Sequence, residues 1–197
     1  CESPLSSHEV AQGYIDLKDP SIYIKFKISS GKYKGNDVLV WTTTPWTLPS
    51  NVALCVNPTA DYVLIKTENG NMILAESRLE VIKDDYEITE KFKGSELENT
   101  EYEPLFNYFK LDKKAYYVTT GNFVTLDDGT GIVHIAPAFG EDDYNIGMKY
   151  DLPLLQAVGR NGLFKQEAGA YAGRNFKEAD PDIILELKAS GRLYRKE

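Results

Sequence analysis

Two short segments hold most of the side chains that could do chemistry. The first is Trp41-Thr42-Thr43-Thr44-Pro45-Trp46-Thr47-Leu48-Pro49-Ser50-Asn51, which sets four threonines among two indoles and two prolines. The second runs from Gly129 to Tyr144 and contains His134 and the acidic triplet Glu141-Asp142-Asp143. Hydroxyls, an imidazole and carboxylates fill an apolar core poorly, because each needs a hydrogen-bond partner once it leaves water. A few convergent polar groups at an apolar pocket are what a binding or catalytic site requires. A strained loop between strands would use the same prolines and threonines for structure alone.

Each group has a functional and a structural reading. Thr43 and Thr44 can donate and accept, so they suit positioning a water or bonding a ribose hydroxyl. Asp143 falls in the first turn of a predicted helix, where backbone N–H groups favour an ionised carboxylate able to anchor a substrate ammonium group. Asp142 or Asp143 could equally cap that helix, and only one is needed to do so. His134 alternates with Val133 and Ile135 on a predicted strand, open both to core packing and to a role as base. Trp41 and Trp46 can stack on a nucleobase or pack in the core. A Gly-x-Ser-x-Gly elbow and a serine-histidine-aspartate signature are both absent, so a covalent nucleophile is not indicated. Cys1, His8, Cys55 and His134 are the thiols and imidazoles available to zinc, but no pair has metal-ligand spacing.

Composition bounds the class. The chain has 197 residues, 42% hydrophobic and 12% aromatic with 13 tyrosines, enough for a folded core in a single domain spanning 1–197. A formal net charge of −8 argues against nucleic-acid binding through a general basic field, so any such contact is local. Two cysteines make no disulfide framework and fit a reducing cytosol. No apolar run approaches the roughly 18 residues that span a membrane, and no signal-peptide pattern opens the chain. A cytoplasmic monomer without membrane association is expected.

The elements that must position the two segments are mostly strands. Residues 21–28 alternate with Ile22, Ile24, Phe26 and Ile28 on one face. Strands are predicted over 37–42, 52–56, 61–67 and 71–75, the last two a hairpin about Glu68-Asn69-Gly70. Further strands are predicted over 115–119, 131–135 and 154–158. Helices are predicted over 77–83, 141–150 and from Asp180-Pro181 to Ser190 before Gly191. Residues 84–114 lack a clean period and read as a peripheral excursion. The expected fold is mainly β within α+β: a closed barrel of about six to eight strands with peripheral helices, both segments at one mouth.

Taken together, the segments resemble the editing domain inserted into class I isoleucyl-tRNA synthetases. The residues that carry the resemblance are Trp41-Thr-Thr-Thr-Pro-Trp-Thr-Leu-Pro-x-Asn51 and Gly129-Thr-Gly-x-Val-His134-x-Ala-Pro followed by Asp142-Asp143. The opening Cys1-Glu-Ser-Pro-Leu-Ser-Ser-His-Glu-Val-Ala-Gln12 is similar to the family's entry segment, so the likeness spans essentially the whole chain. Pro45-Trp46 favours the isoleucyl type over valyl and leucyl relatives. The resemblance implies hydrolysis of valine wrongly attached to the isoleucine tRNA, and of valyl-adenylate. Asp143, Thr43 and Thr44 would be catalytic. Trp41, Thr42, Trp46, Thr47, Asn51 and His134 would contact substrate, with Thr47 and His134 forming the wall that rejects isoleucine. No metal or cofactor is implied for editing. ATP and magnesium belong to a synthetic domain whose signature this sequence lacks. The implied partners are the acylated acceptor end of the isoleucine tRNA, valyl-adenylate and the rest of the synthetase. A non-catalytic module that holds the acylated tRNA end is the alternative.

Overall fold

Alternating apolar residues build the first strand. The computed structural model describes residue 6 and residues 19–197; the opening segment with Cys1 and His8 lies outside them. β1 (Ile22–Lys27) sends Ile22, Ile24 and Phe26 into the main core, and Ile28 continues the row. β2 (Asp37–Thr42) sends Val38 and Val40 to the same core and Leu39 to a second cluster with Tyr23, Val63 and Ile65. Burial on both faces is why its apolar run is unbroken.

A 3-10 turn (Pro45–Ser50) follows and leads into β3 (Ala53–Val56), all four residues of which are buried. β4 (Asp61–Thr67) and β5 (Gly70–Ala75) form the expected hairpin, in register from Tyr62↔Ala75 to Thr67↔Gly70. Beyond them come a 3-10 turn (Glu76–Val81), β6 (Tyr86–Lys93), β7 (Tyr117–Thr120) and β8 (Ile132–Ile135). Then follow α1 (Glu141–Lys149), a 3-10 turn (Gln166–Tyr171), α2 (Phe176–Ala189) and β9 (Leu193–Lys196).

The expected closed barrel is not what forms. The described strands make two open sheets: six strands in the order β6-β4-β5-β2-β1-β9, and three in the order β7-β3-β8. Closure needs an uninterrupted ladder, and the ladder stops at β8, which pairs with β3 alone. Between the sheets the Ala75 N–H donates to the Thr130 carbonyl at 3.0 Å. Residues 99–103 also bridge the end of β1 to β7 through backbone bonds, and side chains complete the contact: Ile24 and Val40 share one core with Leu54, Val56, Val118 and Ile132. Edge strands stay soluble by other means. β6 carries Glu87, Glu90, Lys91 and Lys93, and β9 is only four residues long with Arg195 and Lys196.

Several local expectations also shift. Residues 77–83 form no α-helix but the tighter Glu76–Val81 turn. Residues 154–158 form no strand, only a single bridge from Val158 to Phe164. α2 starts at Phe176 rather than Asp180 because Asn175 caps it, its side chain accepting from the Lys177 N–H at 3.0 Å. Pro181 therefore lies inside the helix. Residues 84–114 begin with β6, an edge of the larger sheet. Among the described residues no helix is long and apolar enough to cross a membrane.

Candidate functional site

β2 ends at Thr42, and the Pro45–Ser50 turn brings Thr42, Thr44 and Thr47 into one short space. Pro45 presets the first helical position. The Thr44 N–H donates to Thr42 Oγ1 at 3.1 Å, and the Thr42 and Thr44 hydroxyls are 3.2 Å apart. Thr44 Oγ1 lies 3.2 Å from Thr47 Oγ1, which donates to the Thr44 carbonyl at 2.8 Å. Thr47 Oγ1 is also 3.0 Å from His134 Nε2. Thr42, Thr44, Thr47 and His134 thus form one continuous polar row. Thr43 stands apart from it, exposed, with no hydrogen bond from its hydroxyl among the described residues.

His134 arrives on β8, opposite Leu54 of β3, and points away from Val133 and Ile135, which pack in a third cluster. Burial pushes its pKa down to about 4, so the ring is neutral at pH 7. Thr47 has one hydroxyl proton, already given to Thr44, so the contact is satisfied when His134 Nε2 carries the ring proton and donates. The lone pair is then on Nδ1, which is buried without a partner.

Asp143 sits in the first turn of α1, where neither it nor Asp142 is the cap; that position is Gly140. Asp143 Oδ1 instead accepts from the Ala136 N–H at 2.7 Å, tying the helix to the end of β8. The helix start is expected to keep the carboxylate ionised, yet the net direction is opposite. Burial raises its pKa, the N–H groups of Ala136 and Asp143 itself oppose the rise, and Asp142 adds to it.

Trp46 joins the two segments on their apolar side. Its ring meets Phe139 edge-on with centroids 5.2 Å apart, and Phe176 at 4.7 Å. Trp41 is placed elsewhere. It lies on the opposite face of β2 from Thr42 and packs on the second cluster. Gly129 takes a positive φ of 63° against it, so close that a Cβ would stand 2.9 Å from Trp41 Cε3. Asn51 is buried, with Nδ2 donating to the Ala53 carbonyl at 2.8 Å and Oδ1 accepting from the Tyr102 hydroxyl at 2.7 Å. Cys55 belongs to the third cluster, its thiol pushed up to about 11 by burial, and no three of His, Cys, Asp and Glu converge among the described residues.

The structure thus brings Thr42, Thr44, Trp46, Thr47 and His134 together, with Asp143 held two residues beyond His134. It leaves Trp41 and Asn51 outside that cluster. Sequence reasoning passed over three contributors. Phe139 and the Ala136 N–H lie inside the second segment, where proximity to His134 could have marked them. Phe176 comes from α2 and carries no local signal. The set is polar, hydroxyl-rich and without a nucleophile-base pair, which suits holding water and a cation against an apolar wall.

No protein-family model matches the chain. It is 51% identical over 197 residues to an isoleucine--tRNA ligase of Clostridium acetobutylicum, covering 100% of this chain and 19% of that protein. The GlLeuRS-CP1 crystal structure superposes with a TM-score of 0.69 at 15% identity, covering 90% of this chain and 98% of the other. The editing domain of the cytosolic leucyl-tRNA synthetase of P. knowlesi superposes at 0.68 with 14% identity, covering 93% and 98%. Over its whole length the chain is homologous to part of the isoleucyl-tRNA synthetases. The leucyl-tRNA synthetase structures agree with it in fold. The chain spans about a fifth of the length of the relative it matches, 19% in that case.

Proposed function

We propose that this editing domain hydrolyses the ester of valine wrongly attached to the isoleucine tRNA, and that valyl-adenylate is a second substrate. The observation that carries the reading is the meeting of the threonine turn with His134 and the Asp143 turn in a member of this family. The physical need is plain. Valine is isoleucine less one methylene, and one methylene gives a hydrophobic pocket about 10–200-fold discrimination, a range for which isoleucyl-tRNA synthetases are themselves the standard case. A second pocket that excludes the larger side chain completes the selection.

In this reading Asp143 receives the valyl ammonium group, whose positive charge opposes the upward push of burial on the carboxylate pKa. The exposed Thr43 hydroxyl and the hydrogen-bonded Thr44 hydroxyl place the attacking water and the terminal ribose. Water is the only co-reactant: its oxygen bonds the valyl carbonyl carbon, the ester C–O bond breaks, and the proton goes to the released ribose oxygen. Thr47 and the neutral His134 form the wall. His134 is a poor base here, because its lone pair is on the buried Nδ1 and its pKa is about 4.

Incubating the chain with valyl-tRNA and following ester loss is the direct test. Hydrolysis by the parent and loss in a folded Asp143→Ala variant are expected, since an unpaired desolvated ammonium costs roughly 2–5 kcal/mol. Retention of valyl-tRNA without ester loss would identify a binding module instead. Parental hydrolysis by Asp143→Ala would remove the anchor from the mechanism.

A further inference from the structure

Gly140 is extended at φ −150°, so its backbone makes no demand for glycine. Its surroundings do. A Cβ at this position would stand 2.5 Å from Asp143 Oδ2 and 3.2 Å from its Cγ. The carboxylate has little freedom to retreat, since Oδ1 is held by the Ala136 N–H at 2.7 Å. The turn that carries Ala136 is itself fixed on both sides. Phe139 N–H donates to the Ala136 carbonyl at 2.9 Å, and the Phe139 ring lies against Trp46. On the helix side, a Cβ at Gly147 would meet Pro137 Cβ and Cγ at 3.0 Å. Two glycines seven residues apart therefore let α1 press against the 136–140 turn, one beside Pro137 and one beside the carboxylate.

We infer that Gly140 is a positioning residue for ammonium recognition: its missing side chain is the space in which the Asp143 carboxylate is seated. The inference rests on the assignment of Asp143 as the amino-group anchor. Any side chain at position 140 pushes Oδ2 aside and pulls Oδ1 from the Ala136 N–H. The ring contacts of Trp46 and the hydroxyl row do not depend on that space. A Gly140→Ala chain should therefore keep its fold, its Trp46 ring contacts and the hydroxyl row while losing grip on the charged amine.

The test uses two non-hydrolysable probes: 3′-valylamido-adenosine, and its isovaleryl analogue, which has the same side chain without the amino group. Gly140→Ala should weaken the valyl probe about tenfold, the scale of one impaired hydrogen bond to a charged group. The isovaleryl probe should bind as it does to the parent. The Ala136 amide resonance should shift at the same time, reporting the broken contact with Asp143. Parental affinity for the valyl probe together with an unmoved Ala136 resonance would overturn the inference, as would equal weakening of both probes. An Asp143→Ala chain is measured alongside. If it still prefers the valyl probe over the isovaleryl probe by the parental margin, the anchor assignment itself falls, and this outcome is separable from the first two.

Discussion

At the scale of single residues, burial sets the chemistry more than sequence neighbours do. His134 is expected to stay neutral down to about pH 5, because its folded pKa is near 4 and its unfolded value is 6.5. A depressed histidine leaves the fold at full stability above pH 6.5 and costs stability as pH falls toward 4. A nuclear magnetic resonance titration of the ring checks the value, and valine hydrolysis should show no inflection near 6.5. As a wall rather than a base, His134→Ala should keep valine cleavage and begin to cleave isoleucyl-tRNA. A folded His134→Ala chain inert toward both esters would refute the wall. Asp180 is the opposite case. It is 4% exposed, burial raises its pKa to about 6 against the opposing pull of Lys177 and the Trp46 backbone, and its Oδ1 is buried without a hydrogen-bond partner. A raised carboxyl costs the fold stability progressively as pH rises from the unfolded value of 3.8 to about 6, and the cost is full above that. Asp180→Asn keeps the shape, removes the buried charge and should add about 1–3 kcal/mol at pH 7. Denaturant melts at pH 7 and pH 3.5 should show a gain in the first and none in the second.

At the scale of elements, the joints carry as much as the strands. Asn51 closes the threonine turn and starts β3 through two buried hydrogen bonds, to the Ala53 carbonyl and from the Tyr102 hydroxyl. Asn51→Ala leaves both groups without partners and should cost about 1–3 kcal/mol. The loss should be measured by urea unfolding of the parent and variant side by side. Strand and hairpin positions were readable from alternation, as in 22–27 and 61–75, because a half-buried strand must alternate. β9 was not, since Leu193-Tyr194-Arg195-Lys196 has too few residues to show a period. β6 was not either: its Glu and Lys are edge residues chosen for solubility, which hides a strand among charges.

At the scale of the whole molecule, two open sheets and α2 share one core, with Leu54 and Val118 from the smaller sheet packed among Ile24, Val40, Ile183 and Leu187. A shared core makes unfolding of the sheets a single event. Leu54→Ala, at a site with no solvent exposure, should therefore lower stability by about 2–5 kcal/mol. Far-ultraviolet and tryptophan-fluorescence transitions should stay coincident in parent and variant. Transitions that separate would mean the sheets melt independently. The same packing fixes the site, since the threonine turn extends from the larger sheet and His134 from the smaller.

Sequence alone determined which residues can do chemistry and most of the strands that carry them. Residue type, the two-residue period and the turn residues are local properties, and local physics suffices to read them. The pairing of the two segments could be guessed from their chemistry, but the contacts that realise it, Thr47 with His134 and Asp143 with Ala136, depend on registers set across the fold. Tertiary structure alone decided that the sheets stay open, that Trp41 faces away from the hydroxyl row, and that Asn51 is buried between the Ala53 carbonyl and the Tyr102 hydroxyl. It also keeps His134 neutral and raises the Asp143 pKa. Ladder closure, the face a side chain takes and the desolvation it meets are all set by elements distant in the chain. No window of neighbouring residues contains them.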